Sequence, residues 1–323
     1  MKRILISEWV PEECLRPYAG EFDFTMPDHE KYAFTHKELC DMVGDYDALF
    51  IRKNKGDKEL IDKGKRLKVL ANFGVGYNNI DWKYATEVGL PVVNTPSSVT
   101  EATAEHAVAL LMAAMRGVAR YDRELRQGIW DSPNFADVDS EIYGKTLGII
   151  GFGRIGKRVC EKAQGLGMKV VYHNRSRASE DVERKYKVTY MSFENLVKNS
   201  DCITLHMPYF PENYHFINEE TFKMMKKTAY LINTARGQVV DEKALARALE
   251  SGQIRGAGLD VFEDEPNVTP ELLTLDNVTL TPHIASCTLQ TRMNMCAEAL
   301  QGITDVLRGE KPYNVINPEV LYK

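Results

Sequence analysis

Three residue types that together can hold a carboxylate and move a proton follow three successive apolar runs of this 323-residue sequence. Arg236 stands in Thr234-Ala235-Arg236-Gly237, after the run 229–233. Glu265 stands in Asp260-Val261-Phe262-Glu263-Asp264-Glu265-Pro266, after 256–260, and His283 in Thr281-Pro282-His283, after 278–281. Arginine offers a charged planar fork that grips a carboxylate at two points. Histidine exchanges a proton near neutral pH. A glutamate bonded to that histidine fixes its tautomer and favours its charged form. The set suits hydride transfer to or from an α-keto acid, with proton transfer at the carbonyl oxygen. Taken singly, each residue has a plainer reading: Arg236 as a surface ion-pair residue, Glu265 as a solvated carboxylate of an acidic loop, His283 as a core-edge histidine. Their shared placement beside a nucleotide loop favours the chemical reading.

That loop is Gly151-Phe152-Gly153-Arg154-Ile155-Gly156, which follows the apolar run 146–150 and opens a segment with helical spacing. Strand, tight turn and helix are the context that gives G-x-G-x-x-G its meaning. Gly151 permits the turn, Gly153 lets backbone approach a pyrophosphate, and Gly156 lets helix pack close to strand. The first-turn amides of the helix then face the anion. An acidic residue about twenty positions on would bond the ribose 2′-OH of NAD. Position 174 is instead Asn174, followed by Arg175-Ser176-Arg177, two cations and a hydroxyl suited to a 2′-phosphate. NADP is therefore expected to be preferred or tolerated, with NAD possible; a solvated basic loop is the alternative.

Short apolar runs alternating with helix-spaced segments predict the scaffold. Strands are expected over 2–7, 22–26, 47–51, 68–73 and 91–94, and helices over 11–19, 36–43, 58–65 and 81–88. Ser98-Val99-Thr100-Glu101 fits a capping box and opens a helix over 102–116, apolar nearly all round, expected to lie between domains or between subunits. The irregular stretch 128–143 carries Trp130 and Phe135, as a dimer contact or a packing flap. A second series has strands over 146–151, 169–174, 188–190, 202–206, 229–233, 256–260 and 278–281. Its helices are expected over 155–165, 193–198, 219–225 and 241–251, and a final helix over 289–307. The fold class is α/β, two doubly wound parallel-sheet domains. Residues 1–98 and 288–323 are expected to form a flavodoxin-like substrate domain, into which 99–287, a Rossmann-like dinucleotide-binding domain, is inserted. Ligands bind beyond the carboxyl ends of such strands, and hinges near 94–98 and 285–289 would close the two domains. Arg52, Lys53 and Lys55 follow the strand 47–51, as a solvated basic loop or as contacts for an extra anionic group.

Hydrophobic residues make up 44% and charged residues 27%, which suits a soluble globular protein of two domains. A net charge of −5 argues against general nucleic-acid or anionic-membrane partners. Met1-Lys2-Arg3 runs straight into a strand-like segment, with no signal peptide expected, and the most apolar helical stretch, 107–115, is too short to span a bilayer. The six cysteines show no C-x-x-C spacing and read as reduced thiols of a cytoplasmic protein, with no metal site expected.

As a set, Gly151 to Gly156, Asn233 to Gly237 with Val240-Asp241, Gly258-Leu259-Asp260-Val261-Phe262 with Glu265-Pro266, and Thr281-Pro282-His283 resemble the D-isomer-specific 2-hydroxyacid dehydrogenases. The resemblance covers almost the whole chain, including Gly74-Val75-Gly76-Tyr77-Asn78-Asn79-Ile80-Asp81 and Asn94-Thr95-Pro96. It implies catalytic roles for Arg236, which would bind substrate carboxylate and carbonyl, for Glu265, which would support the histidine, and for His283, the proton donor in reduction. Backbone amides of Val75 and Gly76 would grip the substrate carboxylate, although those glycines could also simply make a turn. The family's cofactor contacts fall on Arg154, Ile155, Thr234, Ala235, Arg236, Asp260 and His283, with Asp260 on the nicotinamide side. His206 and His106 read as structural. The basic loop after 174 is similar to the glyoxylate and hydroxypyruvate reductase branch. Short-form phosphoglycerate dehydrogenase, then D-lactate dehydrogenase, are the next activities, and a nucleotide-sensing corepressor is the non-enzyme alternative. The resemblance and the apolar helix together imply a homodimer.

Overall fold

The structure is a computed structural model that describes residues 1–130 and 139–322; the expected contact through Phe135 lies outside the described residues. The chain divides into two compact units, Met1–Val99 with Cys287–Lys323, and Thr100–Ser286.

The first unit holds β1 (Lys2–Ile6), β2 (Phe22–Thr25), β3 (Ala48–Ile51), β4 (Val69–Asn72) and β5 (Val92–Val93), all parallel, in the order β2-β1-β3-β4-β5. That is the flavodoxin-like order. Its helices are α1 (Glu12–Leu15), α2 (His36–Met42), α3 (Lys58–Lys63), α4 (Trp82–Glu87) and the long C-terminal helix Leu289–Arg308. Every residue of β3 and β4 is buried, as a sheet covered on both faces requires. Alternation sorts the side chains. Ile4, Ile6 and Phe50 pack against Cys296, Ala299, Leu300 and Ile303 of the C-terminal helix. Leu5, Leu49 and Ile51 face the other way, onto Leu39, Leu60 and Ile61 of α2 and α3. Local signals set the helix starts: Thr35 and Glu38 form a reciprocal capping box on α2, and Asp57 caps α3.

The second unit holds β6 (Thr146–Ile150), β7 (Lys169–His173), β8 (Thr189–Tyr190), β9 (Cys202–Leu205), β10 (Tyr230–Asn233), β11 (Gly256–Leu259) and β12 (Val278–Leu280). They form one parallel sheet in the order β12-β11-β10-β9-β6-β7-β8. The order reverses at β6, which pairs with both β7 and β9, so the switch point where dinucleotides bind lies at its carboxyl end. The helices are α5 (Thr100–Met115), α6 (Val118–Arg126), α7 (Arg154–Gly165), α8 (Glu180–Tyr186), α9 (Phe193–Asn199), α10 (Glu219–Met224), α11 (Glu242–Glu250) and α12 (Pro270–Thr274).

One expectation changes here, the cap before α5. The apolar helix packs one face within the second unit, Ala107, Leu110, Leu111 and Met115 against Leu147, Ile149, Tyr230 and Ile232. Its backbone lies so close to β11 that a Cβ on Gly258 would sit 3.2 Å from the Leu110 carbonyl oxygen, which explains its small residues. The Ser98–Glu101 capping box does not form. The Ser98 hydroxyl and N–H both bond Glu298, the latter at 3.0 Å, while Glu101 pairs with Arg158 and Lys162. The stronger acceptor, a carboxylate, takes the serine. Among the described residues, no helix is long and apolar enough to cross a membrane.

Candidate active site

The glycine loop turns at the end of β6 with Gly151 at φ +99°, where a Cβ would lie 2.6 Å from the His206 carbonyl. A Cβ on Gly156 would lie 2.3 Å from the Gly151 carbonyl oxygen, so α7 can start this close to the strand only with glycine there. Gly153 is different: nothing stands within 4 Å of its would-be Cβ, and its open side is where a ligand can approach backbone. The start of α7, at Arg154 and Ile155, carries no capping side chain, which leaves the helix dipole to an anion. At the end of β10, the Thr234 hydroxyl is buried with no hydrogen-bond partner among the described residues. An orphaned hydroxyl, an open glycine and an uncapped helix start, all at the carboxyl edge of one sheet, fit a dinucleotide.

Arg236, Glu265 and His283 follow the ends of the adjacent strands β10, β11 and β12, and the structure shows what holds each. Asn233 closes the first loop: its Oδ1 accepts from the Ala235 N–H at 3.0 Å and its Nδ2 donates to the Arg236 carbonyl at 2.9 Å. Gly237 lets this loop touch the next, since a Cβ there would fall 1.8 Å from the Phe262 carbonyl carbon. Burial lowers the Arg236 pKa and the charge of Glu265 raises it; the guanidinium stays cationic. His283 Nδ1 meets Glu265 Oε2 at 2.7 Å, and the other carboxylate oxygen accepts from the Phe262 N–H at 3.0 Å. That bond fixes the tautomer on a side chain 48% exposed.

Burial pushes the Glu265 carboxyl up, but the His283 contact, the Phe262 N–H and the Arg236 charge outweigh it, and the pKa lies below its ordinary value. A depressed carboxylate contributes stability above its unfolded pKa of about 4.3 and loses it as pH falls through the lower folded value. Glu265→Gln is expected to lower Tm at neutral pH, the gap to the native chain closing below pH of about 4. Equal gaps at both pH values in calorimetry would show that the charge of Glu265 contributes nothing.

Asp260, expected on the nicotinamide side, has its carboxylate engaged by protein donors. It is fully buried. Its Oδ1 accepts from the Thr281 hydroxyl at 2.6 Å and the Ile284 N–H at 2.8 Å, its Oδ2 from the Ala285 N–H at 2.8 Å, and its carbonyl from the His283 N–H at 2.8 Å. Asp260 thus holds the turn that puts His283 at φ +52°, a left-handed conformation unusual for histidine. Two supports escaped sequence reasoning. His106 on α5, read there as a packing residue, lies 2.9 Å from the Thr281 hydroxyl and 3.4 Å from Asp260. Glu242, buried at the start of α11, accepts from the Glu263 N–H and the Thr269 hydroxyl and anchors the acidic loop. Both contacts are long-range, and no local spacing announces them.

The loop expected to select the nucleotide is also partly committed. Asn174 Oδ1 accepts from the Phe152 N–H at 2.6 Å and so ties this loop to the glycine turn. Arg177 forks onto Glu183 at 2.8 and 2.7 Å, a carboxylate that also takes the Tyr172 hydroxyl. The exposed Arg175 and Ser176 make no side-chain bond among the described residues. His206, at the end of β9, is pushed by burial down to about 3 and is neutral, with Nε2 at 2.9 Å from the Thr204 hydroxyl. In the first unit, Val75 and Gly76 follow β4, their carbonyls taken by Asn94 at 2.8 Å and Asn72 at 2.7 Å, while their N–H groups donate to no acceptor among the described residues. Arg52, read as part of a solvated basic loop or as a contact for an extra anionic group, pairs with Glu8 at 2.8 Å.

Comparison with known proteins adds to this geometry. Residues 108–285 match the family described as D-isomer specific 2-hydroxyacid dehydrogenase, NAD binding domain. The chain is 41% identical over 325 residues to a glyoxylate reductase of Pyrococcus furiosus, covering 99% of this chain and 96% of the relative. Its structure resembles an NADPH-dependent glyoxylate/hydroxypyruvate reductase of Sinorhizobium meliloti in complex with NADP and malonate (TM-score 0.85, 28% identity, 98% and 97% coverage). It also resembles a D-lactate dehydrogenase of Aquifex aeolicus complexed with NAD and lactic acid (TM-score 0.81, 31% identity, 98% and 99% coverage).

Proposed function

The chain belongs to the D-isomer-specific 2-hydroxyacid dehydrogenase family, and from that membership we propose that it reduces small 2-keto acids, glyoxylate or hydroxypyruvate first among them, to the D-2-hydroxy acids. The observation that carries this reading is the 2.7 Å Glu265–His283 contact at the end of β12, two strands from the arginine loop. When bound, the reduced nicotinamide supplies the hydride. Gly151, Gly153, Arg154, Ile155 and Gly156 would hold its pyrophosphate, and Thr234 and Ala235, after β10, would take a further part of the dinucleotide. The Arg236 fork takes the substrate carboxylate and polarises the carbonyl. His283, oriented by Glu265, donates from Nε2 the proton that the carbonyl oxygen acquires. The unbonded amides of Val75 and Gly76 suit a carboxylate as well. With Arg52 neutralised by Glu8, no observation favours a phosphorylated three-carbon acid.

The test is a panel of glyoxylate, hydroxypyruvate, pyruvate and phosphohydroxypyruvate with both nucleotides. The highest kcat/KM is expected for the first two. Tight nucleotide binding with no turnover of any acid would instead indicate a sensing protein.

For the nucleotide, NADP is the preferred form. Arg177 is held by Glu183, so Arg175 and Ser176 are assigned to the 2′-phosphate. Arg175→Ala is expected to reduce the NADPH-to-NADH ratio of kcat/KM by about tenfold, one charge-assisted contact. A native chain that prefers NADH, with a ratio indifferent to Arg175→Ala, would sink this assignment.

The protein is further proposed to work as a homodimer in the cytoplasm. Val118, Leu125, Trp130 and Tyr143 are exposed apolar residues of the second unit, and among the described residues no disulfide joins the cysteines. Light scattering is expected to give a dimer mass.

A further inference from the structure

Within the first unit, α2 and α3 bring together a set of side chains that the proposed reaction does not use. His36 and Cys40 lie one turn apart on α2, so both project from one face of that helix. Asp57 and Glu59 come from the cap and first turn of α3. His36 Nε2 is 3.6 Å from Cys40 Sγ and 3.4 Å from Asp57 Oδ2. Ligand atoms of His36, Cys40 and Glu59 all lie within 4.8 Å of one another, and among the described residues this is the one such group.

We propose that His36, Cys40, Glu59 and Asp57 form a binding site for a thiophilic divalent transition metal, with zinc as the natural ion. The distances support it. Around a tetrahedral zinc, with Zn–S about 2.3 Å and Zn–N about 2.0 Å, neighbouring ligand atoms stand about 3.5 Å apart. The His–Cys and His–Asp separations match that edge, and a Glu59 carboxylate oxygen lies within 4.8 Å of both the His36 and Cys40 ligand atoms. Its competing partner is Lys63, an exposed i,i+4 contact at 2.9 Å that costs little to break. The donor chemistry agrees: sulfur, imidazole and carboxylate together suit zinc or cobalt and not calcium or magnesium. One ring nitrogen faces both a thiol and a carboxylate. It has a single proton or a single lone pair to offer, so it cannot satisfy both, whereas a cation between the three can. The cysteine pattern predicts no metal because it lacks paired Cys-x-x-Cys; here the second pair of ligands is supplied by carboxylates of the next helix. Bound metal would clip α2 to α3 and stabilise the first unit in proportion to occupancy.

The experiment uses the full chain after chelation, titrated with cobalt(II) chloride as the probe. One equivalent is expected to bind and to give thiolate-to-cobalt charge-transfer absorption with the visible bands of tetrahedral cobalt. Cys40→Ala should abolish the charge-transfer band, and His36→Gln should weaken binding at least about tenfold. Cys287→Ser, which removes the one exposed cysteine, should leave the band intact. Keto-acid turnover is expected to be unchanged in all three and serves as the folding control. Should Cys40→Ala not fold, the surface double variant His36→Gln/Glu59→Gln gives the same readout. No band at stoichiometric cobalt, or a band that survives Cys40→Ala, overturns the site.

Discussion

Replacing His283 with alanine is expected to lower kcat by about 10²–10⁴-fold, the usual range for a positioned proton donor, while nucleotide affinity stays within about twofold. The split follows from where the contacts lie. Apart from the contact that the family resemblance implies for His283 itself, the groups assigned to the dinucleotide belong to the glycine loop, the loop after β7 and the end of β10. What is lost is a proton donor held in one tautomer by a 2.7 Å bond to Glu265. A loss of this size is about 3–5 kcal/mol of transition-state stabilisation. One correction is needed. His283 sits at φ +52°, which costs alanine more than asparagine, so His283→Asn separates lost chemistry from a disturbed turn. Both variants should be slow, and added imidazole should restore part of the rate in the alanine variant. Near-normal turnover in either would remove His283 from the reaction.

Arg236→Lys is the second large effect. Two charge-assisted hydrogen bonds to a carboxylate contribute about 1.5–3 kcal/mol each, and an ammonium group keeps the charge but not the fork. A fall in kcat/KM of about 10²–10⁴-fold is expected, shared between KM and kcat because the same fork polarises the carbonyl. The lysine variant should still bind nucleotide in a fluorescence titration. A lysine variant within about threefold of native kcat/KM would mean that charge alone is recognised and that the planar geometry of Arg236 is incidental.

Much of this was legible because period and punctuation are local. Fully buried runs such as Ala48–Ile51 and Val69–Asn72 announce parallel strands, and each strand of the sequence reading is present within a residue or two. What escaped was what depends on distant partners. α6 and α8 have no fully buried residue, only the short apolar rows Val118, Tyr121 and Leu125 and Val182 and Tyr186, and much of their surface is given to i,i+3 and i,i+4 pairs such as Arg126–Asp122 and Arg184–Asp181. Ser98 looked like a helix cap until Glu298, two hundred positions away, took it. The fork of Arg177 on Glu183 is likewise a contact that the type and position of Arg177 do not announce. The types of Arg236, Glu265 and His283 could be named from sequence, but not the supports Asp260, His106 and Glu242, which act through contacts no spacing encodes.

The contact at Gly237 has a practical consequence for redesign. The arginine-bearing and glutamate-bearing loops share a wall with no room for a single methyl group, 1.8 Å separating the would-be Cβ from Phe262. They behave as one cassette. Transplanting the acidic loop from a relative without its matching arginine loop would import a backbone collision, whereas moving both together would not. Substitutions in the two loops should prove non-additive in double-mutant cycles. Natural or laboratory selection for a new 2-keto acid is then expected to leave this pair untouched and to explore positions outside it.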